Sequence, residues 1–252
     1  MKASSLTRGT PGLVVAIVLT VVLFNLPWGR LALYPFALLS TWFHEMGHGM
    51  TALILGGDFK ALVLRPDTSG FALYDAPQGF GALRRAAISS AGYLGTAVVG
   101  AGLLTLRRWP KAVPAVLGAL AAALALSGLL VVLRWPSDTA GQPFAFWLPF
   151  FGVGVVTAWA VALAWVAARA SETWQHLLFN LIAAQTALNA VLNVRVLFFT
   201  AEHSDADSMA DLLFVPSVVW ASLWLVAAVA LAGLGFWAGL PRSQGEAGPG
   251  AG

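Results

Sequence analysis

The sequence predicts an all-α polytopic membrane protein of about six to seven transmembrane helices, with a small β-hairpin after the second. Three observations predict it. The 252 residues are 59% hydrophobic and only 10% charged, whereas soluble domains carry roughly 25% charged residues. The apolar residues fall in long runs, not in amphipathic stripes, and about 20 such residues take a helix across a bilayer core. The one long interruption, at 56–85, alternates like two short strands.

Seven apolar segments follow in order, at 12–28, 31–55, 86–106, 112–133, 144–168, 174–200 and 212–240. The first follows Lys2 and Arg8 as a secretory signal would. It ends in Asn25, Leu26, Pro27 and Trp28, with no small-x-small cleavage site, so an uncleaved span is expected. In the hairpin, Phe59, Leu62 and Leu64 face Phe71 and Leu73 across a turn containing Pro66, Asp67, Ser69 and Gly70. A lone hairpin is marginal in water, so this one is expected to lie against the helices.

The third span presents a small-residue face: Gly92, Gly95 and Gly100 with Ala91, Ala97 and Ala101. Such a face allows close packing in lipid. It fits an approach to the second helix and ordinary membrane packing alike. The sixth carries Asn180, Gln185, Asn189, Asn193 and Arg195. In lipid these need partners, across a helix interface or around a cavity. Most of the 11 Trp residues flank the spans as an aromatic belt. Residues 1–240 read as one integral membrane domain, and 241–252 as a disordered Gly/Ser/Pro tail.

There is no cysteine, so disulfides and thiolate metal ligands are excluded. The net charge of +3 is scattered over loops, which gives no surface for nucleic acid. If every segment crosses, one face holds Lys2, Arg8, Lys60, Arg65, Arg84, Arg85 and Arg134. The other holds Arg30, Arg107, Arg108, Lys111, Arg169 and Arg242. That near balance assigns no orientation under the positive-inside rule.

The strongest chemical signal is TWFHEMGHGM, Thr41 to Met50. A His-Glu-x-x-His pattern on a helix sets both imidazoles on one face, a turn apart, where they can share one zinc ion. The intervening Glu then stands beside the metal's water as a general base. His44 and His48 are the expected ligands and Glu45 the base. The pattern also arises by chance in helices, but ionisable groups in an apolar membrane helix cost roughly 2.5–3.5 kcal/mol each and mark function.

Catalytic zinc commonly takes three protein ligands, so one must come from elsewhere. Only His176 and His203 remain among the histidines, and His176, beside Glu172 and Trp174, reads as interfacial. The densest acidic stretch, AEHSDADSMAD at 201–211, holds Glu202, His203, Asp205, Asp207 and Asp211. It is the expected source of the third ligand. Ser204 or Asp205 in the same stretch can also cap a helix, with Asp207 in its first turn.

On these residues the chain resembles the site-2 protease family of intramembrane zinc metallopeptidases, in particular a short bacterial branch without a PDZ domain. The resemblance covers most of the chain. It rests on HEMGH at 44–48, the Gly-Gly-plus-hairpin segment at 56–74, SAGYLGTAVVGA at 90–101, and HSDADSMA followed by Pro216 and Trp220. It implies Asp205 as the third ligand, with Asp207 second, because Ser204-Asp205-Ala206 is similar to a triplet of that branch. The Asn-Pro…Asp-Gly motif of classical members is missing, so their substrate-binding Asn is not carried over. The implied function is zinc-dependent endopeptidase cleavage of a membrane-protein or peptide substrate in a bacterial cell membrane. The alternative is a non-proteolytic scaffold or transporter-like protein retaining a zinc site, which would require a closed, four-ligand metal.

Overall fold

A computed structural model of the chain describes residues 9–75, 79, 81–132, 147–198 and 204–240. Lys2, Arg8, Arg134, Glu202, His203, Arg242 and the tail 241–252 lie outside the described residues. Eight α-helices and one hairpin are described: α1 Gly9–Asn25, α2 Gly29–Ile54, β1 Asp58–Leu64, β2 Gly70–Asp75, α3 Ala82–Leu106, α4 Val113–Ser127, α5 Leu148–Arg169, α6 Glu172–Val196, α7 Asp205–Leu213 and α8 Ser217–Ala238. A 3-10 turn, Pro110–Ala112, leads into α4, and a π-helical turn, Gly128–Val132, continues it.

Five of these stretches are long and apolar enough to cross a membrane, and α1 is a shorter apolar helix of 17 residues. The helix bearing the His-Glu-x-x-His pattern, α2, is long enough at 26 residues but falls outside the five, because its polar residues dilute its hydropathy. The seventh segment expected at 212–240 is α8, and a separate short helix, α7, precedes it and is broken from it at Pro216. Proline cannot supply the N–H that a continuous helix would need there.

The central helix is α3, which packs against α2, α6 and α8. Its small-residue face makes these approaches possible. A Cβ on Gly95 would meet the Cα of Gly47 at 3.6 Å, and one on Gly100 would stand 2.9 Å from the backbone of Ala187 in α6. In a bilayer, where apolar side chains gain little by leaving lipid, such close backbone contact is what holds helices together. The outward faces are apolar, with Val18, Val21, Leu223, Val226 and Val229 all exposed. A surface of that kind faces lipid. Trp28, Trp109, Trp147, Trp174 and Trp237 are exposed at helix ends, whereas Trp42, Trp159 and Trp224 are buried inside. The aromatic belt therefore accounts for part of the Trp content only.

One polar group of α6 pairs across helices and another within its own: Gln185 Nε2 donates to Thr20 Oγ1 of α1 at 2.7 Å, whereas Asn180 Nδ2 donates to the His176 carbonyl one turn back in α6 at 2.8 Å. Asn193 is exposed, Asn189 is half-buried, and the side chain of Arg195 lies outside the described residues. Interhelical bonding is thus what Gln185 does.

The hairpin turns back immediately after α2. Gly56 has φ +94°, a backbone that side chains disfavour, and a Cβ on Gly57 would stand 2.7 Å from the Asp75 carbonyl. Its strands pair antiparallel, with Leu62 opposite Ala72 and Val63 opposite Phe71. Ala61 to Leu64 of β1 are buried among the helices, while β2 is only partly covered. The tip is pinned to α2 twice: Tyr34 donates to the Pro66 carbonyl at 2.7 Å, and Thr41 donates to the Thr68 carbonyl. Within the tip, Ser69 donates its hydroxyl and its N–H to Asp67, which holds that carboxyl below its ordinary value. Thr41 lies three residues before His44, so the pin sets β2 beside the polar turn of α2.

Candidate metal centre

Helical spacing puts His44 and His48 one turn apart on the face of α2 that meets α3. Their Nε2 atoms are 3.0 Å apart. His48 Nδ1 lies 2.7 Å from the Ile88 carbonyl of α3. A carbonyl only accepts, so Nδ1 carries the proton and Nε2 presents its lone pair. This is how ligating imidazoles are commonly oriented.

The third group arrives from the start of α7. Asp205 Oδ2 stands 3.4 Å from His44 Nε2 and 3.3 Å from His48 Nε2. Among the described residues these three side chains form a group able to hold a metal ion, with donor atoms all within 4.8 Å of one another. A chemical test of fit is available. Ligands bound to zinc at 2.0–2.2 Å in tetrahedral arrangement are separated by about 3.3–3.5 Å. The observed edges of 3.0, 3.4 and 3.3 Å describe such a face. Two imidazoles and a carboxylate are also a usual donor set for this ion.

Asp207 is turned elsewhere. Its Oδ2 accepts from the Ser204 N–H at 3.0 Å and from Ser204 Oγ at 2.7 Å, and its own N–H donates to Ser204 Oγ at 3.3 Å. This reciprocal capping box fixes the first turn of α7. The box leaves Asp205, the first residue of the helix, to face the imidazoles. Asp211 is exposed further along α7. Glu202 and His203 lie outside the described residues, and His176 is buried near the other end of the bundle.

Glu45 is 6% exposed. The Ala72 backbone N–H of β2 faces its carboxylate. Ala72 is paired with Leu62 of β1 on its other side, so the edge of β2 turned toward Glu45 is the unpaired one. His44 and Asp205 keep 17% and 27% of their side-chain surfaces exposed, so the group is recessed but reachable.

Three contributors were not legible as site residues. Gly92 of α3 backs both imidazoles: a Cβ there would stand 2.3 Å from His48 Nε2 and 2.6 Å from His44 Nε2. No side chain fits. Tyr93 sets its ring edge-on to His44, centroids 4.6 Å apart, and stacks on Trp224 of α8 at 5.2 Å. Ala72 contributes a backbone group, which no side-chain pattern can reveal. Gly92 and Tyr93 lie in the SAGYLGTAVVGA stretch. Its small residues were the available signal for Gly92, and nothing singled out Tyr93.

A family model described as Peptidase M50B-like matches residues 13–235. No curated protein and no solved structure matches the chain.

Proposed function

The chain belongs to the Peptidase M50B-like family, the site-2 protease family, and from that premise we propose that it is a zinc-dependent intramembrane endopeptidase. His44, His48 and Asp205 are its zinc ligands and Glu45 its general base. The observation that carries this reading is the near-equilateral triangle of donor atoms, 3.0, 3.4 and 3.3 Å on its edges, beside a buried carboxylate.

The chemistry zinc supplies in such a centre is polarisation of a carbonyl and a water acidified to near pH 7. Everything else falls to the chain. Glu45, buried beside the two imidazoles and bonded by the Ala72 N–H, would accept the proton of a water activated there. With zinc held by His44, His48 and Asp205, the oxygen of that activated water would add to the scissile carbonyl carbon, and Glu45 would return the proton to the amine nitrogen as the C–N bond breaks. The Ala72 N–H keeps the carboxylate aimed. Burial under the hairpin restricts water at the reacting atoms.

A membrane helix hides its peptide groups in its own hydrogen bonds, so a substrate must unwind before it can be cut. The unpaired edge of β2 offers it a template beside Glu45. Proline in place of Ala72 removes the N–H on that edge. The expected result is slower cleavage with unchanged metal content; full activity in that variant overturns the templating role. Proline at Phe59 or Leu62 would test something else, since both lie in the strand buried against the helices.

Only three metal-binding groups converge among the described residues, which favours a centre with an open position over a closed structural one. The cellular setting that fits is a bacterial cell membrane, with the chain crossing it several times and acting on a membrane-protein substrate. The test is metal removal. Purified protein in detergent is given a membrane-protein substrate panel, then chelator, then zinc. Cleavage is expected to stop with chelator and to return with zinc. Cleavage that persists after the metal is stripped overturns the proposal.

A further inference from the structure

At the opposite end of α3 from the metal centre, about 20 Å along the helix from Gly92, the bundle holds a second polar site. Here α3 and α8 end, the 3-10 turn leads into α4, and α6 begins. The buried Arg107 guanidinium closes both helix ends, donating from Nε to the Leu104 carbonyl at 3.0 Å and from Nη2 to the Phe236 carbonyl at 2.9 Å. Its Nη1 is buried without a hydrogen-bond partner. At the same end of the bundle, an open cavity of about 400 Å³ is lined by Arg108, Trp109, Pro110, Lys111, Glu172 and His176.

We propose that this cavity binds the phosphate of a glycerophospholipid headgroup. Arg108 lies with its guanidinium carbon 4.2 Å from the Trp109 ring centroid and donates from Nη1 to the Ala238 carbonyl at 3.4 Å. The ring contact uses the face of the guanidinium and leaves edge N–H groups for an anion. Lys111 is exposed and has no carboxylate partner among the described residues. His176 lines the cavity and is only 5% exposed, so the pocket has a buried polar wall. Glu172 is the one carboxylate on the cavity wall, which it shares with the cationic Arg108 and Lys111. The site also stands at the correct depth for a headgroup: Trp109, Trp174 and Trp237, all exposed, mark this end of the bundle as an interface. Basic pockets between helix ends at that level are where phospholipid headgroups are recognised.

The same phosphate chemistry occurs in soluble esters, and the experiment separates the sources. The full chain, delipidated in detergent, is titrated with phosphatidylglycerol, phosphatidylethanolamine, diacylglycerol or glycerol 3-phosphate, and adducts are counted by native mass spectrometry. The two phospholipids are expected to be retained, and diacylglycerol, which lacks the phosphate, is not. The Arg108→Ala/Lys111→Ala double variant should weaken phospholipid retention roughly thirtyfold. Lys111→Glu, at an exposed position, gives the same direction without touching the Ala238 contact, and Arg30→Ala leaves binding as in the parent. Undiminished phospholipid retention in both Lys111 variants overturns the proposal. So does glycerol 3-phosphate binding as tightly as the lipids, which would assign the pocket to a soluble phosphate ester.

Discussion

Glu45→Gln is expected to lower cleavage of a membrane-protein substrate by about 10²–10⁴-fold, the usual worth of a positioned general base, while zinc content stays that of the parent. Glutamine keeps the shape of the side chain and an amide oxygen that still accepts from the Ala72 N–H. What it loses is the capacity to take a proton. The group able to hold a metal ion, His44, His48 and Asp205, does not include residue 45, so metal content is expected to stay unchanged. Both readouts come from one preparation: metal by elemental analysis, activity by the appearance of substrate fragments. Cleavage within tenfold of the parent, with metal still bound, would remove Glu45 from the mechanism. Joint loss of metal and activity would make it a structural support of the ligands instead. An unaltered cellular phenotype in this variant would favour a scaffold or transporter-like role over an enzyme.

What could be read from sequence divides along a physical line. The His44, Glu45 and His48 constellation is a property of one helical turn, and helical spacing alone puts the imidazoles on a common face. The long apolar runs were equally local, and all seven correspond to helices, although α2 falls below the hydropathy of a typical span and α7 breaks from α8 at Pro216. The hairpin was visible in its alternation and its turn residues. What could not be read is whatever depends on two distant segments meeting. Gly92 looked like one small residue in a packing stripe. Its reason is the pair of imidazoles at His44 and His48 on another helix, which leave no room for a Cβ. Tyr93 had no signal, because its partners His44 and Trp224 lie on two other helices. The unpaired edge of β2 follows from which strand the helices cover, and alternation within each strand does not say that β1 is the buried one.

The choice between Asp205 and Asp207 was unresolved by the same division, and it sets the second large expectation. Both carboxylates fall in the first turn of α7, where either would suit the helix dipole. The Ser204 box separates them: Asp207 is bonded to Ser204 from both its N–H and its carboxylate, while Asp205 Oδ2 stands 3.3–3.4 Å from both imidazoles. Asp205→Ala is therefore expected to strip zinc from the purified chain and to abolish cleavage with it, because two imidazoles alone are one ligand short of a catalytic site. Asp207→Ala removes the N3 half of the Ser204 capping box and leaves the Ser204 N-cap in place, so it is expected to ease thermal unfolding modestly while zinc stays bound. Zinc retained in Asp205→Ala and lost in Asp207→Ala would reverse the assignment, and α7 would have to turn by nearly half a revolution to supply the ligand. Zinc retained in both would place the third ligand outside this helix, and Glu202 and His203 immediately before it would be the next residues to replace.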